Sequence, residues 1–376
     1  MNFDFSKEHL ELTEAIKNAL KKTSGVEKLL SAQNPQEVKR ELLNKIGKLV
    51  ESGYLKLGTG TSFTDCNVTA VLEVAAQYGP DFFIPMEMST RLFGRILWNY
   101  GTSSQKKTCL EPIQKGLLIG AVALSEKNLS IENAPLACRG EKKGDSVKVT
   151  GEKNFVVNGP FADCFAVVGE MDGRSAIFLI PENTEGLIRG EAFPAAGQSG
   201  VLLSSITCHG CLIPMDQVII PEKPEQMIAT LRLWENQILS ASAIGNMLAS
   251  FSRARDFAKT HKSGGRSIIS YQEISFKLAS MYTLIQAARM IAYCASSYLE
   301  AKDPAAITQM HCAKVFCAES AEKLSSEAMQ IMGAHAWNGD HEAALSYWGA
   351  KYTQIAGTST ELARVHIGDA LLGKGN

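Results

Sequence analysis

The sequence predicts an α+β multi-domain protein: an N-terminal helical domain over residues 1–117, a central β-sandwich or barrel domain over 118–222, and a C-terminal four-helix bundle over 223–376. Three observations predict it. Apolar residues recur at helical spacing as far as Leu117, the period drops to two between Leu117 and Pro221, and helical spacing returns after Pro224 in segments long enough for a bundle. At 376 residues the chain has room for two or three domains and a large core.

In order along the chain, Ser6 is placed to cap a first helix over 6–23, with Leu12, Ile16, Ala19 and Leu20 on its apolar side. Asn34-Pro35 starts a second, carrying Val38, Leu42, Ile46, Leu49 and Val50 and ending at Gly53. Gly58 to Ser62 reads as a loop, followed by a helix with Val68, Val71, Leu72 and Ala75 on one side and by helices over 84–100 and 103–111. Strand-like runs then occupy 118–124, 146–150, 163–169, 175–180 and 201–207. The turn Lys142-Lys143-Gly144-Asp145 and Gly151 allow the stretch from Ala121 to Asp163 to fold back on itself, and its two ends, meeting, form the expected wall of a binding site. Helical patterns close the chain over 225–262, 271–302, 304–334 and 358–373.

Composition excludes several functions. With 38 basic and 39 acidic residues and no basic cluster, the chain has no electrostatic footprint for nucleic acid or a membrane surface. No run has the length of a membrane span, and the acidic start Met1-Asn2-Phe3-Asp4-Phe5 is unlike a secretory leader, so a cytoplasmic protein is expected. The nine cysteines are irregularly spaced and read as reduced apolar residues. Cys208-His209-Gly210-Cys211 has zinc-like spacing without a second ligand pair; it reads as a turn at a strand edge, and no metal is expected.

One carboxylate stands out on pattern alone. Glu235 has Leu231, Arg232, Ile238 and Leu239 as its neighbours on a helix, so it lies largely within an apolar stripe. Burial favours its neutral form, which suits a general base that collects a proton and later releases it. A structural ion pair with Arg232, or with a neighbouring helix, is the competing reading.

Five motifs carry a resemblance. Ser103-Ser104-Gln105-Lys106-Lys107, Ala123-Leu124-Ser125-Glu126, Lys153-Asn154-Phe155-Val156-Val157-Asn158-Gly159, Gln330-Ile331-Met332-Gly333 and Gly357-Thr358-Ser359 follow one another as do EEQK, ALTE, KxWITNG, QxxGG and EGTS in the acyl-CoA dehydrogenase family, which the chain resembles over almost its whole length. The resemblance implies FAD held between the β domain and the bundle, with its adenosine half reaching a neighbouring subunit of a tetramer. It implies that Leu124 and Ser125 face the pyrimidine side of the flavin, that Phe155 stands where a tryptophan packs on the ring, and that Val157 takes the place of a threonine near N5. Gln330, Gly333 and Thr358 fall on cofactor-contacting loops. In the segment from His261 to Gln272, His261 replaces the arginine that meets the pyrophosphate and Gly264 replaces a phenylalanine, while Ile131 replaces a serine of the ALTE motif.

The usual base of the YEGTS motif is Ala356 here, which cannot accept a proton. Relatives such as isovaleryl-CoA, long-chain acyl-CoA and prolyl-carrier-protein dehydrogenases carry the base on a bundle helix, and Trp234-Glu235 resembles that arrangement. The resemblance therefore implies FAD-dependent α,β-dehydrogenation of an acyl thioester, on coenzyme A or an acyl-carrier protein, with Glu235 as base and an electron-transfer flavoprotein taking the electrons. Two alternatives stand beside it: a catalytically degenerate structural subunit of a hetero-oligomer, favoured by Ala356, His261, Gly264, Val157 and Ile131, and a flavin monooxygenase of the same fold.

Overall fold

The structure is a computed structural model that describes residues 6–21, 34–60, 63–127, 135–339 and 341–374; residues 22–23 of the first expected helix, Thr61, Ser62 and Ile131 lie outside the described residues. In α1 (Lys7–Lys21) the Ser6 hydroxyl accepts from the His9 amide at 3.2 Å, and Leu12, Ile16 and Leu20 are buried. α2 (Pro35–Gly47) opens on Pro35, with the Asn34 side chain accepting from the Gln36 amide, and α3 (Asp65–Tyr78) is capped in the same way by Thr64. α4 (Pro80–Glu87) and α5 (Gly94–Tyr100) are joined without a break by a π-helical stretch, Met88–Phe93. Such widened turns are common at functional sites. Thr102 and Gln105 form a capping box on α6 (Ser103–Gln105), and a second π-helical stretch leads into α7 (Glu111–Gln114).

The central β-sandwich or barrel takes the form of one nine-stranded mixed sheet. Its strands are β1 (Gly120–Ala123), β2 (Arg139–Lys143), β3 (Ser146–Val157), β4 (Cys164–Met171), β5 (Arg174–Pro181), β6 (Leu187–Arg189), β7 (Phe193–Ala195), β8 (Gln198–Pro214) and β9 (Val218–Ile219). The order is β6-β8-β3-β2-β4-β5-β9, with β1 parallel to β4 and β7 on β8. Alternation divides the side chains between two cores. Val147, Val149, Phe165, Val167, Phe178 and Ile206 pack inside the sheet, whereas Ala166, Val168, Ile177 and Leu179 on the opposite face join the helical core with Phe93 and Ile119. The sheet is thereby fixed against the π-helical stretch.

Cys208-His209-Gly210-Cys211 is a bulge inside β8, not a turn at its edge. Residues three apart on a regular strand face opposite sides; here the β3–β8 register passes from Thr150↔His209 to Val149↔Cys211, and Gly210, at φ +72°, is the extra residue. Both thiols therefore enter the inner core. Among the described residues, no group of three His, Cys, Asp or Glu side chains is placed to hold a metal ion.

The C-terminal block consists of α8 (Met227–Thr260), α9 (Gln272–Glu300), α10 (Ala306–Met332), α11 (Glu342–Ile355) and α12 (Thr360–Leu371). The sequence pattern does not indicate α11; its buried side is made of Ala343, Ala344, Gly349, Ala350, Thr353 and Gln354, too small or too polar to give a strong apolar stripe. Lys262 and Arg266 lie in a two-stranded hairpin between α8 and α9, β10 (Lys262–Ser263) and β11 (Arg266–Ser267). α8 runs through the middle of the molecule. A Cβ at Gly245 would lie 2.4 Å from the Ala76 Cβ and 2.7 Å from the Glu73 carbonyl oxygen, so only glycine lets α8 lie this close to α3. No helix among the described residues is long and apolar enough to cross a membrane.

Candidate functional site

A cleft of about 40 Å³ forms where the three blocks meet, lined by Met88, Leu92, Val122, Leu124, Ser125, Asn154, Phe155, Val157 and Glu235. Its β wall is held by a buried ion pair. Lys153 Nζ donates to a Glu126 carboxylate oxygen at 2.7 Å and to the Leu124 carbonyl at 3.0 Å, while the Ala137 and Cys138 amides donate to the same carboxylate. Burial alone would push the Glu126 carboxyl up, but Lys153 and the two amides outweigh it and hold it below the usual range. The Asn154 amide donates to the Ser125 carbonyl at 2.8 Å, which ties Leu124-Ser125 to β3.

Phe155 projects from an irregularity in β3, between the Lys153 and Val156 pairings. Its φ is +55°, an unusual conformation for a bulky residue, and its side chain is 57% exposed, in edge-to-face contact with Phe193 alone among the described rings. Strain of this kind is held in place at binding sites more often than elsewhere.

Glu235 comes from α8 on the other side. It is not isolated in its apolar stripe: Arg232 Nη1 donates to Glu235 Oε2 at 2.6 Å, with side-chain exposures of 6% and 14%. The ion pair named as the competing reading is thus present, and it forms within the cleft. The Ala356–Thr358 turn closes over the same carboxylate. Gly357, at φ +67°, would carry a Cβ 2.7 Å from Leu239 Cδ1 and 3.4 Å from Glu235 Cδ, so a side chain there would collide with α8. Thr358 is buried, its hydroxyl accepting from Asn236 Nδ2 at 3.1 Å and its amide donating to Asn236 Oδ1 at 3.3 Å.

Beneath the turn lies Lys314, which sequence reasoning missed. It is fully buried, and its Nζ donates to the Thr353 carbonyl and, at 2.8 Å, to the Ala356 carbonyl. Burial pulls its ammonium group down to about 7, against the opposing charge of Glu235. Burial and the Glu235 charge also push the Tyr352 hydroxyl well above its usual range. A lysine set in Ala313-Lys314-Val315-Phe316-Cys317 carries the same signal that singled out Glu235, a charge inside an apolar run.

The remaining candidate residues lie elsewhere. His261 stacks on Phe257 at 4.7 Å and meets His335 edge-on at 5.3 Å, just before the β10–β11 hairpin; Gln272 and Gln330 are exposed, and Gly333 ends α10 at φ +58°. His261 follows Glu235 by 26 positions, about 39 Å along α8 at 1.5 Å per residue. The structure gathers Leu124, Ser125, Phe155, Val157, Glu235 and the Thr358 turn around one cleft, and leaves His261, Gln272, Gln330 and Gly333 at the far end of the bundle.

The sequence model described as "Acyl-CoA dehydrogenase, C-terminal domain" matches residues 229–372. The chain is 30% identical over 280 residues to an acyl-CoA dehydrogenase of Bacillus subtilis, covering 73% of this chain and 74% of that protein. It is 27% identical over 345 residues to a short-chain specific acyl-CoA dehydrogenase of Megasphaera elsdenii, covering 89% and 90%. The solved butyryl-CoA dehydrogenase of Megasphaera elsdenii superimposes with a TM-score of 0.88 at 22% identity, over 99% of this chain and all of that one, a likeness of fold.

Proposed function

Because the chain belongs to the acyl-CoA dehydrogenase family, we propose that this cleft is where an acyl thioester loses hydrogen from its α and β carbons, with Glu235 as the base. The observation that carries the reading is the carboxylate's position. Glu235 is the acidic side chain among the cleft-lining residues, opposite Phe155 and Val157 and under the Ala356–Thr358 turn.

The enzyme is an FAD-dependent oxidoreductase, and its residues fit that group. An exposed phenylalanine ring in a strained backbone offers a flat apolar surface, and the peptide edge of Leu124-Ser125 beside it is fixed by the Glu126–Lys153 pair. When bound, FAD supplies the acceptor for the hydride that leaves the β carbon. Glu235 takes the α proton as the carboxylate, Arg232 holds that carboxylate in one orientation, and Met88 and Leu92 limit the room for the acyl end.

Lys262 and Arg266 on the hairpin, beside the paired rings of His261 and His335, offer two cations and ring N–H donors suited to a pyrophosphate. They lie too far along α8 to serve the same dinucleotide as Phe155, so they are proposed to serve the FAD of a second copy. That makes the working unit a homo-oligomer, proposed as a tetramer, passing its electrons to an electron-transfer flavoprotein. The Arg232–Glu235 pair favours the second reading, a structural subunit without catalysis. Anaerobic titration of the flavin-containing protein with butyryl-CoA separates the two. Bleaching of the visible flavin band is expected; an unchanged spectrum with a range of acyl-CoA chain lengths overturns the catalytic reading.

A further inference from the structure

Two features of the cleft are left over by that mechanism: a fully buried lysine, and a turn that has lost its carboxylate yet remains tightly held. They belong together. The last carbonyls of a helix have no partners within it and carry the negative end of its dipole, and at the end of α11 Lys314 Nζ takes two of them, those of Thr353 and Ala356. From the opposite side Asn236 takes both the amide and the hydroxyl of Thr358. Gly357, held between the two, leaves no room for a side chain on the side facing Leu239 and the Glu235 carboxyl group.

We propose that Lys314 is a positioning residue for Glu235: it clamps the Ala356–Thr358 turn over the carboxylate and places a buried cation beneath that turn. The inference rests on Glu235 being the base. A buried ammonium with only two backbone acceptors is an unusual feature, because water is lost and the acceptors carry no full charge. The nearby Glu235 carboxylate is what favours the ammonium, as the ordering of influences on it shows: burial acts against the charge, and Glu235 is the largest influence in its favour. The dependence is mutual. Once Glu235 has accepted the α proton, Lys314 faces a neutral partner, so the two groups cannot change charge independently.

The surroundings of Lys314 are charged on each packed element. Arg232 and Glu235 face it from α8, Glu361 from α12, and Cys317 and His311 from α10 itself; His311 is in turn stacked on His366 of α12 at 5.1 Å, and Tyr352 of α11 completes the group. Burial, with the nearby His366 and Lys314, holds His311 down at about 4, so it is neutral at physiological pH. Arg232 hydrogen-bonds the Glu235 carboxylate directly at 2.6 Å, whereas Lys314 acts on it through the turn.

The test uses the flavin-containing protein, wild type and Lys314→Gln, in anaerobic reduction by butyryl-CoA across pH 5–9. Glutamine retains a donor for the two carbonyls and removes the charge. The acid limb of the rate profile is expected to move up by about one pH unit, the usual effect of one close opposite charge, with about a tenfold loss of rate below the limb and little change in the butyryl-CoA concentration at half-saturation. A profile superimposable on the wild type overturns the proposal. If Lys314→Gln does not fold, lysine labelled with 13C at Cε and observed by NMR in wild type and Glu235→Gln provides the second measurement. The Lys314 resonance should titrate at lower pH in Glu235→Gln, and identical titrations refute the coupling. Absence of thioester-driven reduction in the wild type would remove the base assignment while leaving the NMR comparison to decide the coupling.

Discussion

Replacing Glu235 by glutamine tests the base and the ion pair in one molecule. The amide keeps the shape of the side chain and one oxygen for Arg232 Nη1, now 2.6 Å away, but it cannot accept a proton at neutral pH. Loss of a general base lowers a rate by roughly 10²–10⁴, so at least a ~100-fold fall in butyryl-CoA-driven flavin reduction is expected. Sequence pattern alone suggests that removing a buried anion costs no stability. The structure reverses that expectation: Arg232 is only 6% exposed, and it keeps a neutral acceptor in place of a charge. Breaking a buried pair outright costs about 3–5 kcal/mol; with one hydrogen bond retained, about 1–3 kcal/mol is expected, the cost of a poorly satisfied buried group. Urea unfolding measures the second quantity and stopped-flow absorbance at saturating butyryl-CoA the first. Activity per folded, flavin-containing chain equal to wild type would refute the base assignment, and a loss of activity that only tracks the loss of folded protein would make the pair structural.

Other outcomes follow from the same contacts. Ala356→Glu in the Glu235→Gln background places a carboxylate on the turn that touches Glu235, and partial recovery of flavin reduction is expected by the same stopped-flow assay; no recovery would show that the two positions address different atoms. Lys314 has a folded-state value of about 7 against about 10.4 in an unfolded chain, so between those limits the unfolded state binds the extra proton and stability rises with pH. Lys314→Met should lose that slope, worth roughly a few kcal/mol across the window, in urea unfolding at pH 7 and pH 9.5. Lys153→Met strands the buried Glu126 carboxylate and frees Leu124-Ser125, so a loss of about 3–5 kcal/mol and of bound FAD per chain is expected by urea unfolding and visible absorbance. Exposed Phe276, Tyr282 and Met290 on α9, with Val365 and Leu371 on α12, leave apolar surface for a second copy, and monomeric light scattering at micromolar concentration would contradict the proposed oligomer.

What the sequence discloses and what it hides divide along physical lines. Periodicity reports which face of an element is buried, so the long bundle helices, the hairpin through Gly144 and the odd position of Glu235 are all legible. It does not report partners from distant segments. The single sheet joins strands as far apart as β1 and β4 or β3 and β8, and nothing in either strand names the other. The same limit explains α11, whose small buried residues give a weak stripe, and the bulge at Gly210, which is visible only against the register of β3.

At the site the limit is sharper, because charge is a property of sets of residues. Glu235 was legible as a carboxylate in an apolar place, and Arg232, three residues before it, as its possible mate. Lys314 is 79 positions further on and was passed over, although an ammonium inside Ala313-Lys314-Val315-Phe316-Cys317 is as costly as a carboxylate inside the α8 stripe. Glu235 is the largest influence favouring the Lys314 ammonium group. Two buried charges of opposite sign on helices expected to share a bundle should therefore be read together. Here that reading leads to the place where a single ammonium group holds the end of α11 and the turn that lies over the carboxylate of α8.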